Sequence, residues 1–306
     1  MEQVVSPKTS GQRHKMKPPV LASFTLLVLF GLCSSSAATE NIKSLCQFHY
    51  PSDNLVEFSC RKLNSKDSPY KVFGKQWQDG LRFNRMDRRH FVSGLSIKVP
   101  RRIGDIKGFN PMPGIYPDAD GDAKFIRIDQ NEAFLGAYEY GKLVFSTPVA
   151  VGVEGLRLQN GSYRVDAVDP RHQSSLFPVE GTNRPYPMHF GLRIYTDKRE
   201  DGWTSYWLHG RDIPGYPASH DCIGLYDEEM QKAYYHEPER PILKDARKLY
   251  SWVVGPSGDP GKFRNLRSGP RVLIMGIPPG ADAVPVASTA PPLVVTPAVG
   301  KPLQRD

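Results

Sequence analysis

The sequence predicts a mainly β protein with a few helices, in which a β-rich domain follows a small N-terminal α+β subdomain. Three observations predict it. The 306 residues include 27 Gly and 28 Pro, a density of turn formers that disfavours a helical bundle. From residue 124 to 277 short runs of alternating apolar and polar residues are separated by turn residues. Only two stretches in that span read as helices. A hydrophobic content of 39% on this length is enough for a sizeable core and more than one domain.

Taken in order, residues 39–110 form a polar, basic N-terminal region. Within it Leu81–Met86 suggests a short helix, Gly94 a turn, and Leu95–Pro100 a closing strand. Phe125–Ile128 and Phe134–Tyr138 read as strands, and Glu139-Tyr140-Gly141-Lys142 is a turn leading into Leu143–Phe145, which together make a hairpin. Ser162–Val168 and Thr204–His209 alternate in the same way, and Arg271–Ile277 reads as a buried closing strand. Helices are expected around Asp227–Tyr235 and Pro241–Val253. The first opens on Asp227, Glu228 and Glu229, acids that suit the positive end of a helix. Beyond Pro278 the chain is Pro, Ala, Val and Gly with little charge, a disordered tail by composition, either a tether or a functionless extension.

The N-terminus reads as an export signal, residues 1–38. Arg13, Lys15 and Lys17 precede the apolar run Val20–Cys33, and Ser36-Ala37-Ala38 has small residues at the cleavage spacing. Met16 as the start would give a compact signal. The run is short for a membrane span, so an exported periplasmic protein is expected, with an inner-membrane anchor facing the periplasm as the alternative. Cleavage would remove four basic residues and one acid from totals of 40 and 32, leaving a formal net charge of +5. That mild excess favours an anionic surface such as a cell wall. Lys and Arg are not clustered in a stripe interleaved with aromatics, so a nucleic-acid partner is not expected.

Export reorganises the cysteines. Cys46 and Cys60 lie fourteen residues apart and are expected to form a disulfide in an oxidising compartment, worth on the order of 3 kcal/mol; two reduced thiols are the alternative. Cys222 is then the odd thiol, preceded by His209-Gly210 and by Ser219-His220-Asp221. A thiol with imidazoles close in sequence is material for a thiolate nucleophile. His209 should end a strand, and the loop with Pro214, Gly215 and Pro217 can return Cys222 beside it. A buried structural thiol is the competing reading. His189, His220, His209 and Cys222 lack short paired-ligand spacing, so a zinc site is not expected.

His209-Gly210, a loop, then Ser219-His220-Asp221-Cys222-Ile223 resembles the signature of the L,D-transpeptidase catalytic domain (YkuD) family. The hairpin 125–152 and the run Asn160–Val165 stand where that family has its opening strands, and the resemblance spans residues 124–277. It implies a β-sandwich with a cysteine nucleophile and no cofactor. Cys222 would attack a peptidoglycan tetrapeptide stem after the L-centre of diaminopimelate, releasing D-Ala and leaving a thioester for an amine or water. His209 would be the base, its tautomer fixed by the Gly210 carbonyl, while Ser219, His220 and Asp221 support the turn and oxyanion site. Asp221 replaces the family's glycine; its side chain is expected to point away from the site or to bond a histidine. Gly224 stands where relatives often carry Arg or Asn. Arg211 could then be the cation for a substrate carboxylate, or it simply pairs with Asp212. Tyr186, Trp207 and Tyr216 are candidate cleft residues, or core and rim packing. Residues 81–100 resemble the second half of a LysM peptidoglycan-binding module; a docking subdomain without a ligand is the alternative.

The implied partners are peptidoglycan stem peptides, with a wall-anchored protein as a second acceptor. Hydrolysis of the same thioester, as an L,D-carboxypeptidase, is the alternative activity. An inactive cell-wall-binding protein is the alternative class, and Asp221 is the residue that keeps it open.

Overall fold

In the computed structural model, two antiparallel strands, β1 (Phe58–Lys62) and β2 (Ser96–Pro100), enclose two short helices, α1 (Pro69–Phe73) and α2 (Trp77–Phe83). The described residues are 42–280, except 153–156, 180, 200–201, 220–221, 257–258 and 260. The expected signal segment, the tail beyond 280, His220 and Asp221 lie outside them. Ser68 caps α1 by accepting from the Lys71 N–H, and Pro69 fills the first helical turn, where a missing N–H costs nothing. Cys46 and Cys60 are joined in a disulfide that ties the segment before β1 to that strand. The expected helix, glycine turn and strand of 81–100 appear with the helix beginning earlier, at Trp77. The LysM resemblance gains no support. Leu81, Phe83, Met86 and Ile97 are buried in a core shared with Phe134, Ile213 and Tyr226, as in a docking subdomain.

The rest of the chain runs β3 (Phe125–Asp129), β4 (Phe134–Glu139), β5 (Lys142–Pro148), β6 (Gly161–Arg164), β7 (Ala167–Asp169), β8 (Gln173–Pro178), β9 (Pro185–Pro187), β10 (Gly191–Arg199), β11 (Gly202–Arg211) and β12 (Ile223–Tyr226). Then follow α3 (Glu228–Tyr235), α4 (Asp245–Val254), β13 (Arg264–Asn265) and β14 (Arg271–Met275). One five-stranded sheet has the order β5-β4-β3-β14-β6 and the other β12-β11-β10-β7-β13. The β4–β5 hairpin turns on Tyr140 and Gly141, both at positive φ, the two-residue turn whose twist matches paired strands.

The two sheets share one core. Ile126, Ile128, Leu135, Ala137, Val272 and Ile274 come from the first, and Val168, Leu192, Ile194, Leu208, Ile223 and Leu225 from the second. Each large aliphatic side chain removed from water there contributes roughly 1.5–3 kcal/mol. Leu249, Tyr250 and Val253 of α4 close the core. The single strand expected over 162–168 is two. β6 pairs with β14 in one sheet, β7 pairs with β10 in the other, and the chain crosses between sheets at Val165-Asp166. The second helix starts at Asp245 rather than Pro241; ahead of it the Ile242 and Leu243 N–H groups donate to Glu228.

A buried charged cluster joins the N-terminal region to the β3–β4 turn. Arg85, 1% exposed, donates to Ser52 Oγ at 2.7 Å and to Glu132 Oε2 at 2.9 Å, and lies over the Tyr50 ring. Ser52 in turn donates its N–H and hydroxyl to Glu132 at 2.9 and 2.6 Å. Lys98 pairs with Asp53, whose other oxygen is 3.4 Å from Arg85. Cations and carboxylates are thus buried together, which is how charge survives burial.

Candidate active site

Strand β11 carries its site residues by alternation. Trp203, Ser205, Trp207, His209 and Arg211 all line one cavity of about 700 Å³, while Tyr206 and Leu208 point into the core between the sheets. β12 runs parallel to β11 with Leu208 opposite Ile223 and His209 opposite Gly224. Cys222, the residue before β12, therefore enters the cavity beside the end of β11 that holds His209. The loop leading to it is tied down at Ser219, which is buried and whose N–H, like that of Ala218, donates to the Val151 carbonyl.

His209 is 4% exposed, and its Nδ1 lies 2.9 Å from the Gly210 carbonyl oxygen. A carbonyl only accepts, so Nδ1 carries the proton and Nε2 is left with the lone pair. Burial drives the imidazole pKa down to about 3, against the opposing pull of the Gly210 hydrogen bond, so the ring is neutral at physiological pH. Gly210 must be glycine. A Cβ there would fall 2.4 Å from Asp227 Oδ2 and 2.7 Å from Asp227 Cβ. Asp227 cannot yield, because it caps α3 by accepting from the Met230 N–H at 3.0 Å.

Arg211 lies across Gly224. A Cβ at Gly224 would sit 1.9 Å from Arg211 Cδ and 2.1 Å from Cγ, so the stem of the arginine occupies the volume a side chain at 224 would need. Arg211 Nε donates to the Asp212 carbonyl oxygen at 3.0 Å. Burial opposes the charge of this guanidinium, but Tyr186, Asp212 and Cys222 more than offset it and raise its pKa. Asp212 is held ionised in the same way. Burial works against it and is outweighed by Arg211, by His90 and by the Tyr186 hydroxyl, which donates to Oδ1. Arg211 thus pairs with Asp212, as one reading of the sequence allowed, and still faces the cavity.

The candidate residues Arg211, Tyr186, Trp207, His209, Ser219 and Cys222 all line the cavity. Tyr216 does not; it stacks on Phe48 at 5.8 Å in the N-terminal region. His220 and Asp221 are outside the described residues. The His189 carbonyl accepts from Gly210 N–H at 2.7 Å, and its ring Nδ1 is 3.8 Å from Asp227. No cluster of metal-ligating side chains occurs among the described residues.

Sequence reasoning missed three contributions. His172 stacks on Trp207 at 3.9 Å and is kept neutral by burial, against the pull of its Asp169 neighbour. Met188, Leu176 and Phe177, on or beside β8 and β9, give the cavity an apolar side. Their alternation is poor, so no periodic signal marks them. The third is Arg89, from the N-terminal region, which lines the cavity near Asp212.

Residues 123–274 match the profile of the YkuD family, described as the L,D-transpeptidase catalytic domain. No curated protein matches the chain. Among solved structures it is similar to a mutant L,D-transpeptidase from Enterococcus faecium, with 15% identity, a TM-score of 0.32, and coverage of 50% of this chain and 49% of that one. It is similar also to an L,D-transpeptidase from Stackebrandtia nassauensis, at 21% identity and TM-score 0.32 over 51% of this chain and 57% of that one. A third, from Xylanimonas cellulosilytica, has 17% identity and TM-score 0.39 over 72% of this chain and 98% of that one. The chain spans about half the length of the first two.

Proposed function

Residues 123–274 belong to the YkuD family of L,D-transpeptidase catalytic domains, and from that premise we propose that the chain is a peptidoglycan L,D-transpeptidase acting through a Cys222 thioester. The observation that carries the reading is a buried, neutral His209, its Nδ1 proton committed to Gly210, lining the same cavity as Cys222. Nε2 accepts the thiol proton as sulfur attacks the carbonyl carbon after the diaminopimelate L-centre. The Arg211 guanidinium, which lines the same cavity as Cys222, stabilises the negative sulfur. Backbone N–H groups around Cys222 take the oxyanion. Collapse of the tetrahedral adduct breaks the C–N bond, and the imidazolium returns its proton to the departing D-Ala amine. An amine of a second stem, deprotonated by the same imidazole, then attacks the thioester and regenerates the thiol. The substrates are stem peptides of the cell wall, met in the periplasm after export, with Tyr186 and Trp207 as cleft walls.

Two measurements test this. Intact-mass analysis after incubation with a carbapenem should give one covalent adduct on the wild type and none on Cys222→Ala. Purified tetrapeptide muropeptides should yield 3-3 cross-linked dimers. Tripeptides alone would assign hydrolysis of the same thioester. Absence of both products and of the adduct would leave a wall-binding protein and sink the enzymatic reading.

A further inference from the structure

The stretch Met86-Asp87-Arg88-Arg89-His90 is fixed to the β-rich domain residue by residue. Met86 bridges to Pro214. The Asp87 N–H donates to the Ile213 carbonyl at 2.8 Å, and its carboxylate accepts from the Ile213 N–H at 2.6 Å and from Gln231 at 2.7 Å. Arg88 pairs with Glu228 of α3 through both Nε and Nη2. His90 Nδ1 lies 2.8 Å from Asp87, and its Nε2 is 3.5 Å from Asp212. Held on both sides, Arg89 extends over the Tyr235 ring at 4.0 Å and reaches the cavity with Nη1 3.7 Å from Asp212 Oδ2.

The charges of the described residues that line the cavity do not cancel. Arg89 and Arg211 are cationic, Asp212 is the one carboxylate among its described lining residues, and the lining histidines His172 and His209 are neutral. Among these described residues one positive charge is left over. Arg89 meets Asp212 beyond hydrogen-bonding distance, so that contact does not use the planar fork of donors that suits a carboxylate. We propose that Arg89, supplied by the N-terminal region, binds a carboxylate of the donor stem together with Arg211, and so sets substrate specificity from outside the family domain. His90 is the positioning residue, clamped between Asp87 and Asp212. The proposal rests on the stem-peptide reading above. Of the stem's free carboxylates, two belong to the residues joined by the scissile bond, the C-terminal one of the leaving D-Ala and the side-chain one of diaminopimelate, and one of these two is the ligand; the glutamate carboxylate lies a residue further off.

The test is equilibrium binding by calorimetry, on the full chain carrying Cys222→Ala so that nothing turns over. Three tetrapeptide stems are compared: the free acid, the C-terminal amide and the diaminopimelate side-chain amide. Amidating the carboxylate that Arg89 holds should weaken binding about tenfold, the scale of one charge-assisted hydrogen bond, and identifies which carboxylate it is. Adding Arg89→Gln should erase that preference, and Arg89→Lys should restore part of it, an outcome that a purely structural role would not give. A preference unchanged by Arg89→Gln, equal binding of all three stems, or no binding of any overturns the proposal. Turnover of the free acid by the Cys222 enzyme is scored separately. An Arg89-dependent acid preference without turnover would sink the transpeptidase reading and leave the carboxylate clamp standing.

Discussion

Gly224→Ala isolates the contact between the edge strand β12 and the Arg211 side chain of β11. The backbone there is not in the left-handed region, so alanine itself brings no conformational strain, and every consequence comes from its methyl group. That methyl would lie 1.9 Å from Arg211 Cδ and 2.1 Å from Cγ. Carbon atoms pack at about 3.5–4.0 Å, so the middle of the arginine stem must retreat by about 1.5 Å or more. The side chain is only 15% exposed and is fixed at Nε by the Asp212 carbonyl at 3.0 Å. Retreat therefore breaks a hydrogen bond to a charged group, about 1.5–3 kcal/mol, with repacking on the same scale. A net loss of roughly 2–3 kcal/mol would lower Tm by about 4–12 °C in a protein of this size. The clash needs both residues, so thermal melts should form a strongly non-additive cycle. Gly224→Ala placed on Arg211→Ala should cost less than about 0.5 kcal/mol. In turnover, Gly224→Ala should resemble Arg211→Ala, because both remove the cation from its place beside Cys222. Additive stabilities, or a Gly224→Ala enzyme with wild-type turnover, would show that Arg211 does not occupy the volume above Gly224.

The histidines make opposite pH predictions. Below pH 6.5 the unfolded chain protonates His209 whereas the folded one, with a value of about 3, does not, so this group removes stability as pH falls through that window. Tm measured from pH 7 to 4 should fall less steeply for His209→Gln than for wild type, and an equal slope refutes the buried neutral assignment. For His90, burial works against the charge but is outweighed by Asp87, its hydrogen bond and Asp212, which raise the value. Its stabilisation is complete below 6.5 and is lost as pH rises through the folded value, so His90→Gln should cost most at acid pH. Glu132→Ala removes the acceptor of Arg85 Nη2 and of both Ser52 donors, leaving a buried guanidinium with Asp53 at 3.4 Å. A loss of about 3–5 kcal/mol in urea unfolding is expected, and less than about 1 kcal/mol would mean the cluster is not the tie between the two regions.

Alternation within a hairpin is local, and so the β4–β5 pair was legible apart from the end of β5, which runs on to Pro148: Leu135 and Ala137 face the core between sheets, while Tyr140-Gly141 can hold positive φ. The N-terminus of α3 was legible for the same reason, since Asp227 caps a helix through its own backbone neighbourhood. The run 162–168 misleads because Val165 and Ala167 stay buried while the chain changes sheet beneath them. Alternation reports which face is wet, not which strand is the neighbour. β10 has Leu192 and Ile194 alternating with Arg193, a sufficient signal in a stretch for which no strand was expected.

The site divides along the same line between local and distant. Trp207, His209 and Arg211 share a face by the period of two along a strand, so finding His209 brings the others with it. Tyr216 sits only five residues beyond Arg211, yet it stacks on Phe48, because the loop after β11 turns toward the N-terminal core at Gly215. Arg89 lies more than one hundred residues from Cys222 in sequence, and no periodicity connects them. What brings it to the cavity is a set of pairings between 86–90 and Asp212, Ile213, Gln231 and Glu228, each of which looks like an ordinary surface charge when read alone. A short motif can therefore identify a nucleophile while leaving its electrostatic surroundings open. Those surroundings are built from buried ion pairs whose partners only the tertiary fold selects. In this chain that selection brings the guanidinium of a separate region into the cavity that Cys222 lines, so specificity and the docking of the N-terminal region are one physical problem.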